Sequence, residues 1–499
     1  MISQYIIDAL QQLLIPINFI TLLISVFFGL LVGMLPGLTA TMAIALLTGL
    51  TYRIAPDTAI LSLVGVYVGS ISGGCQSAIL LNIPGTPASA ATATDGFKIA
   101  KRGEGGLGIF LATTSSFLGT VISIFCIILL TPLLTKFALK FGSYEFFLLA
   151  LFGVVICGNL TSGDDSLKGW ISGILGLFIA QIGLDGLNSY PRFSFNNIEL
   201  MGGITLIPVM IGLFGFPEVI NAFMKEEKQI LNITKFKMTE GFKIIKKNIV
   251  TVIRSGLIGV MVGIIPGVGE DIGGWLSYWA AKTNSKAKET FGQGNYEGVI
   301  AAEAGNNACV GGAIIPILSL AVPGSAPAAV LLAAFWLHGL RPGPLMMKET
   351  PYFLYQLCIF LTAGAFMMWI LSQIISKFTV RVLQINKQIL MPVIFVLCTV
   401  GAFVINNRIF DVYLMFIFGI VGLFLAKLNY PAAPFLLGVI LGPMADTNLR
   451  RALVLSKGSL KPFFTRPISI FFIVLIMVLI LSQLNFVKGL KKELVKGAK

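Results

Sequence analysis

The sequence predicts an all-α polytopic membrane protein, with about twelve transmembrane helices, further re-entrant or broken helices, and two inverted repeats. Three observations predict it. The 499 residues are 56% hydrophobic and only 12% charged, at a mean hydropathy of +0.90, whereas a soluble domain carries about 25% charged residues. Apolar runs long enough to cross a bilayer recur along the whole chain. Pro-Gly pairs interrupt such runs at matching places in the two halves.

A span needs ~20 mostly apolar residues. Runs at 17–35, 58–72, 106–131, 144–158, 169–183, 200–222, 249–265, 298–322, 352–376, 389–405, 410–426 and 467–487 supply the twelve. Stretches at 38–51, 74–91, 269–281, 326–338 and 430–443 are too short or too broken by Gly and Pro to be simple spans, and read as re-entrant or half-helices. The first Lys or Arg is Arg53, so the basic region of a cleavable signal is missing and the first run is expected to stay as a span.

The longest polar stretch, Lys225 to Asn248, carries seven lysines against three glutamates. It divides the chain into a first repeat at 1–223, a basic linker at 224–248, a second repeat at 249–465, and a last helix with a basic tail at 466–499. Linker and tail (Lys488, Lys491, Lys492, Lys496, Lys499) are expected in the cytoplasm. The same rule accounts for the net charge of +14 without nucleic acid. Six cysteines form no CxxC pair and read as small core residues. A lone histidine, His338, cannot build a His-rich metal site.

The halves share a pattern. Residues 29–38 read GLLVGMLPGL and residues 259–268 read GVMVGIIPGV, so Pro36-Gly37 falls on Pro266-Gly267 at an offset of 230 (266 − 36 = 230). Residues 73–89 and 311–328 then each run from Gly-Gly into a second Pro-Gly, Pro84-Gly85 and Pro323-Gly324, at an offset of 239 (323 − 84 = 239). The first half enters from a segment without Lys or Arg and the second from the lysine-rich linker, which predicts opposite orientations in the membrane.

Breaks of this kind at corresponding positions point to a transporter's binding site. A broken helix frees backbone N–H groups, and the N-terminus of the resumed half-helix carries partial positive charge that suits a carboxylate. The predicted substrate-binding residues are therefore Pro36, Gly37, Thr39, Ser72, Gly73, Gly74, Gln76, Ser77, Asn82, Pro84, Gly85 and Thr86 in the first half, with Pro266, Gly267, Gly269, Pro323, Gly324 and Ser325 in the second. Ser70 and Ser89 belong to the same polar cluster. Asp271, Glu303, Asn306 and Asn307 are predicted to couple transport to an ion, because carboxylate and amide oxygens are hard ligands for Na⁺ and a carboxylate can alternatively carry H⁺. Glu270 and Asp271 equally suit the cap of the helix that begins there. Asp164 and Asp165 read as a loop and cap, and Arg341 as a surface anchor or an anion contact.

At these residues the chain resembles the large membrane subunit of the tripartite tricarboxylate transporters, from about residue 18 to about 445. The resemblance is carried by GLLVGMLPGLTATMAIALL (29–47), SAILLNIPGTPASAATATDGF (77–97), GVMVGIIPGVGEDIGGWLSY (259–278) and FGQGNYEGVIAAEAGNNACVGGAIIPILSLAVPGSAPAAVLL (291–332). It implies a translocation path in a bacterial inner membrane, with a small membrane subunit and a periplasmic substrate-binding protein as partners. It also implies secondary transport of citrate or related carboxylates by ion symport, without a cofactor. Ala302, Gly305 and Ala321-Val322 stand where the family favours proline, alanine and Gly-Ile.

Two other classes compete. A membrane-embedded lipid-modifying enzyme needs a paired acidic metal motif, a histidine cluster or a nucleophile–base set, and none is present in the sequence. A passive anion channel fits the composition, but matched broken helices favour alternating access. No GxxxxGK[ST] loop occurs, which argues against ATP hydrolysis by this chain.

Overall fold

A computed structural model describes residues 2–35, 38–161, 165–217, 219–220, 237–379 and 387–483. Pro36, Gly37, Asp164, most of the polar linker and the basic tail lie outside the described residues.

Among the described residues the regular structure is helical apart from one two-residue antiparallel ladder, Gly183–Leu184 against Pro191–Arg192. In order, the helices are α1 (Ile2–Leu14), α2 (Pro16–Met34), α3 (Ala40–Thr51), α4 (Pro56–Leu81), α5 (Ala90–Ile99), α6 (Gly105–Ala138), α7 (Ser143–Thr161), α8 (Ser166–Ile179), α9 (Ile198–Met201) and α10 (Leu206–Met210). They continue as α11 (Met238–Lys247), α12 (Ile249–Ile264), α13 (Gly269–Asn284), α14 (Tyr296–Leu320), α15 (Ala326–Leu337) and α16 (Met346–Glu349). The last are α17 (Tyr352–Ser376), α18 (Lys387–Asn406), α19 (Ile409–Lys427), α20 (Ala432–Leu455) and α21 (Pro467–Leu481).

Among the described residues, seven helices are long and apolar enough to cross a membrane, or eight if α11 and α12, bent by 70°, count as one span. The expected twelve are not all realised as long apolar helices, for identifiable reasons. The run at 200–222 yields the end of α9 and then a helix at Leu206–Gly215, in which α10 passes directly into π-helical residues Ile211–Gly215. The runs at 169–183 and 467–487 yield helices of 14 and 15 residues. Helix α14 has 25 residues, but Glu303, Asn306 and Asn307 make it more polar than the seven. Conversely, 430–443, read as too short, belongs to the 24-residue α20, which continues through Pro443.

The chain forms two compact units, each discontinuous in sequence and neither coinciding with a sequence half: residues 1–136 with 207–423, and 137–206 with 424–499.

In the first unit the same local architecture occurs twice. Helix α2 lies against α4, and α12 against α14, close enough that glycine is required at the contact. A Cβ on Gly29 would stand 2.6 Å from the Val66 carbonyl oxygen, and one on Gly73 2.5 Å from that of Leu30. In the second pair, a Cβ on Gly259 would collide with the Gly305 carbonyl, and one on Gly312 would stand 2.6 Å from that of Val260. The positions correspond at the offsets found in the sequence (259 − 29 = 230; 312 − 73 = 239). Small residues of this kind let membrane helices pack backbone to backbone.

Each long helix then ends alike. Asn82 and Ala321 take the left-handed conformation, at φ 55° and 57°, and turn the chain back. Pro84 and Pro323 follow; each lacks an N–H and disfavours helix in the residue before it. The chain returns along its own helix, where Gly85 N–H donates to the Gly74 carbonyl at 3.4 Å and Gly324 N–H to the Ala313 carbonyl at 3.3 Å. The two tips so formed, Asn82–Ser89 and Ala321–Ser325, lead into the short helices α5 and α15. A Cβ on Gly85 would collide with the Gly33 carbonyl, and one on Gly324 with that of Gly263.

The second unit packs α7, α8, α20 and α21. Gly176 abuts the Phe435 backbone, and Gly438 that of Gly173. At one end Arg192 and Arg450 interlock with Asp185 and Asp446, at separations from 2.6 to 3.6 Å. Buried Glu145 accepts from Arg466 and Ser469 at 2.6 and 2.7 Å.

The glycine contacts are testable. Gly33→Ala and Gly263→Ala should each lower the thermal stability of the detergent-solubilised chain by ~1–3 kcal/mol, the usual cost of overpacking. Gly364→Ala, whose Cβ would find its nearest neighbours at 3.8 and 4.0 Å, should leave the midpoint unchanged or raise it. Wild-type stability in Gly33→Ala would mean that the backbones do not lie this close.

Candidate functional site

The tip at Ala321–Ser325 is held by the other half of the chain. Ser325 is the N-cap of α15 and accepts from Ala328 N–H at 3.2 Å. Its hydroxyl also donates to Glu270 Oε1 at 2.9 Å and lies 2.9 Å from the Tyr67 hydroxyl. Tyr67, fully buried in the middle of α4, donates to the same Glu270 oxygen. Glu270, in the first turn of α13, is itself buried. The residue read from sequence as a helix cap thus joins both halves.

The tip at Asn82–Ser89 is held reciprocally. Asn306 of α14 donates through Nδ2 to the Ala88 carbonyl at 3.0 Å. Positions 67 and 306 correspond at the repeat offset (306 − 67 = 239), as do Thr86 and Ser325 (325 − 86 = 239). Each tip is therefore grasped from the same place on the opposite long helix, by a phenol in one case and an amide in the other.

Around Asn306 a second carboxylate is buried. Glu303 Oε1 accepts from Thr92 at 2.5 Å and from Asn306 Nδ2 at 3.4 Å. Its Oε2 accepts from Ser116 at 2.8 Å and from Asn307 Nδ2 at 3.2 Å. Asn307 also donates to Asn306 Oδ1, while its own Oδ1 is buried without a hydrogen-bond partner among the described residues. Among the described residues, neither Glu270 nor Glu303 touches a Lys, Arg or His. A bare buried charge is costly, so both carboxylates call for a proton or a cation.

A third buried acid clamps the halves together. Asp95 of α5 accepts from Tyr278 at 2.8 Å, and from the Gly294 and Asn295 N–H groups at 2.7 and 2.9 Å. Lys98 reaches the Gly292 carbonyl, and Arg102 those of Gln293 at 3.3 Å and Gly294 at 2.8 Å. Tyr296, opening α14, donates to Glu104 at 2.8 Å. Beside it, Leu80 near the C-terminus of α4 packs against Gly105, to which an added Cβ would stand at 3.4 Å. The C-terminus of α4 and the N-terminus of its counterpart α14 thus lie at one end. That end also carries Lys98, Lys101, Arg102, Lys282, Lys286 and Lys288.

The predicted residues fall into three groups. Ser325, Glu303, Asn306 and Asn307 take part in the contacts above. Ser72 Oγ, Gln76 Nε2 and Thr86 Oγ1 are buried without hydrogen-bond partners among the described residues, although Gln76 Oε1 accepts from Thr379. The others shape the backbone. Thr39 caps α3, Ser77 donates to the Gly74 carbonyl at 3.2 Å, and Gly73 packs on Leu30. Gly74, Asn82, Pro84, Gly85, Pro323 and Gly324 build the tips, and Pro266, Gly267 and Gly269 the turn into α13, with φ 73° and 75° at the two glycines. Asp271 is accessible on α13, beside Glu270, and makes no hydrogen bond or ion pair among the described residues. Tyr67, Thr92, Asp95 and Ser116 were missed. The offset of 239, which sets Tyr67 opposite Asn306, could have found the first.

A family model described as "Tripartite tricarboxylate transporter TctA family" matches residues 19–437. The chain is 34% identical over 465 residues to an Agrobacterium vitis protein named "Uncharacterized 52.8 kDa protein in TAR-I ttuC' 3'region", covering 92% of this chain and 91% of that protein. It is 35% identical over 211 residues to another from the same organism, "Uncharacterized protein in TAR-II ttuC' 3'region", covering 42% of this chain and 87% of that protein. No solved structure matches the chain.

Asp95→Ala would leave two N–H groups and one hydroxyl without their acceptor, at a cost of ~3 kcal/mol. Hydrogen exchange should then show the Gly294 and Asn295 amides losing protection while the Gly324 amide keeps it. Unchanged protection would rule out the clamp.

Proposed function

Because the chain belongs to the tripartite tricarboxylate transporter TctA family, a transporter family of multi-pass membrane proteins, we propose that it is the translocating subunit of a binding-protein-dependent secondary transporter in a bacterial inner membrane, importing citrate or a related small carboxylate by ion symport. A small membrane subunit and a periplasmic substrate-binding protein complete the system. One observation carries this reading: two helix-break tips are each grasped by the opposite half beside buried carboxylates that touch no basic side chain.

That arrangement favours symport on electrostatic grounds. An anion entering beside Glu270 and Glu303 meets like charge in a low-dielectric setting unless cations enter with it. Glu303, Asn306 and Asn307 hold the coupling ion. The unpartnered Oδ1 of Asn307 adds an amide oxygen to the carboxylate, a hard donor set that suits Na⁺. The substrate carboxylate is met by the N-terminal ends of α5 and α15, with the Thr86 hydroxyl and the Gln76 amide as side-chain donors.

The two repeats are inverted in this reading. Its support is that α4 ends where its counterpart α14 begins, while Thr51 before α4 lies 3.5 Å from His338 at the end of α15. The lysine- and arginine-rich end faces the cytoplasm.

The test is uptake into vesicles. The chain is reconstituted with its small subunit and binding protein, and labelled carboxylates are offered with and without a Na⁺ gradient. Uptake should need both the gradient and the binding protein, and Glu303→Gln and Asn306→Ala should abolish the gradient dependence. Flux of a carboxylate down its own gradient, indifferent to Na⁺ and to both substitutions, would instead establish a passive channel.

A further inference from the structure

Glu270, Tyr67 and Ser325 form a closed triangle of oxygens, and its hydrogens can be counted. Three contacts join the three atoms: Tyr67 hydroxyl to Glu270 Oε1, Ser325 hydroxyl to the same Oε1 at 2.9 Å, and Tyr67 hydroxyl to Ser325 hydroxyl at 2.9 Å. Each hydrogen bond uses one hydrogen. The two hydroxyls hold one each, and an ionised carboxylate holds none. Two hydrogens serve only two edges, so lone pairs would face each other across the third. A protonated carboxyl supplies the missing hydrogen and reverses the Glu270–Ser325 bond: Glu270 then donates to Ser325, Ser325 to Tyr67, and Tyr67 back to Glu270.

Glu303 differs in kind. Thr92, Asn306 and Asn307 present O–H or N–H hydrogens to its two oxygens, and Ser116 shares its one hydrogen between Glu303 and the Ala112 carbonyl. Donors converging on both oxygens suit an ionised carboxylate, which only accepts.

We propose that Glu270 is a second ion site, separate from Glu303, whose ligand is a proton, and that the proton closes the Ala321–Ser325 tip onto α4. The transport consequence rests on the symport reading above, whereas the presence of the proton does not. The titratable groups facing Glu270 are Tyr67 from α4, Cys309 from α14 and Asp271 from its own helix. None is basic, and Cys309 spends its own hydrogen on the Gly259 carbonyl, at 3.0 Å. When Glu270 gives up its proton to water, the triangle loses one hydrogen bond and gains a buried charge with no cation beside it. The edge lost is the one between the Tyr67 and Ser325 hydroxyls, whose hydrogens both turn to the carboxylate, and with it goes the tie of the tip to α4. Proton binding and tip closure are then one event, contributed by residues of both halves.

Infrared difference spectroscopy on the purified full-length chain, titrated with acid and base, reads a protonated buried carboxyl directly. A carboxylic-acid carbonyl band should be present at neutral pH, lost in Glu270→Gln, shifted in Tyr67→Phe and retained in Glu303→Gln. A wild type without the band, or a band that survives in Glu270→Gln, overturns the proposal. Should Glu270→Gln fail to fold, Tyr67→Phe decides, because a band it does not shift cannot come from this triangle. In vesicles, the amide that Glu270→Gln introduces can complete the triangle without titrating, so uptake should lose its pH dependence. A wild-type pH profile in that variant overturns the role in coupling. If the wild type carries no carboxylate at all, the transport reading fails while the infrared band still decides the site.

Discussion

The first unit depends on backbone touching backbone. Where α2 meets α4, and α12 meets α14, glycine replaces side chain at successive turns, and the helices close to a distance that any Cβ would prevent. This proximity does more than pack two helices. It leaves the carbonyls of Gly33 and Gly263 facing the glycines of the second Pro-Gly pairs, so each returning tip rests directly on the preceding helix. With a wider spacing the tips would lose that seat, and the cross-half contacts of Tyr67 and Asn306 would lose their targets.

Much of this was legible in the sequence, because the physics of a broken membrane helix is local. A proline after a left-handed residue needs no tertiary context to end a helix, and the two constant offsets located all four breaks. Glu303, Asn306 and Asn307 stood out for a similar reason: polar groups within an apolar run must find partners. What the sequence did not yield were the partners. Tyr67 sits in a run of Val and Gly where its ring reads as core, and only the fold turns its hydroxyl toward Glu270. Thr92 and Ser116 look like packing residues until α5 and α6 bring them to Glu303. Glu270 and Asp271 are neighbours with different roles, one hydrogen-bonded and buried, the other accessible and without a hydrogen bond among the described residues. That difference comes from helix rotation, which spacing from a poorly bounded break does not fix.

Span counts from hydropathy and from helix length differ for a related reason. Hydropathy measures how apolar a segment is, not whether it stays in one helix. The apolar run at 200–222 is interrupted between α9 and the helix at Leu206–Gly215, while α14 is continuous but polar at its centre. In a protein whose working parts are helix interruptions, the least span-like segments are the ones that matter.

Synthesis begins at the N-terminus, and folding generally follows it domain by domain. Here the first unit draws on residues 1–136 and 207–423, so the nascent first half enters the bilayer with Tyr67, Thr92, Asp95 and Ser116 lacking the partners that residues 270 to 325 later bring. For the time needed to make some two hundred more residues (325 − 116 = 209), those groups have to be tolerated by lipid or sheltered by the insertion machinery. The cross-half contacts that build the site therefore make biogenesis its most exposed moment. A chain arrested after Ser116 and before Glu270 would hold all four residues without their cross-half partners.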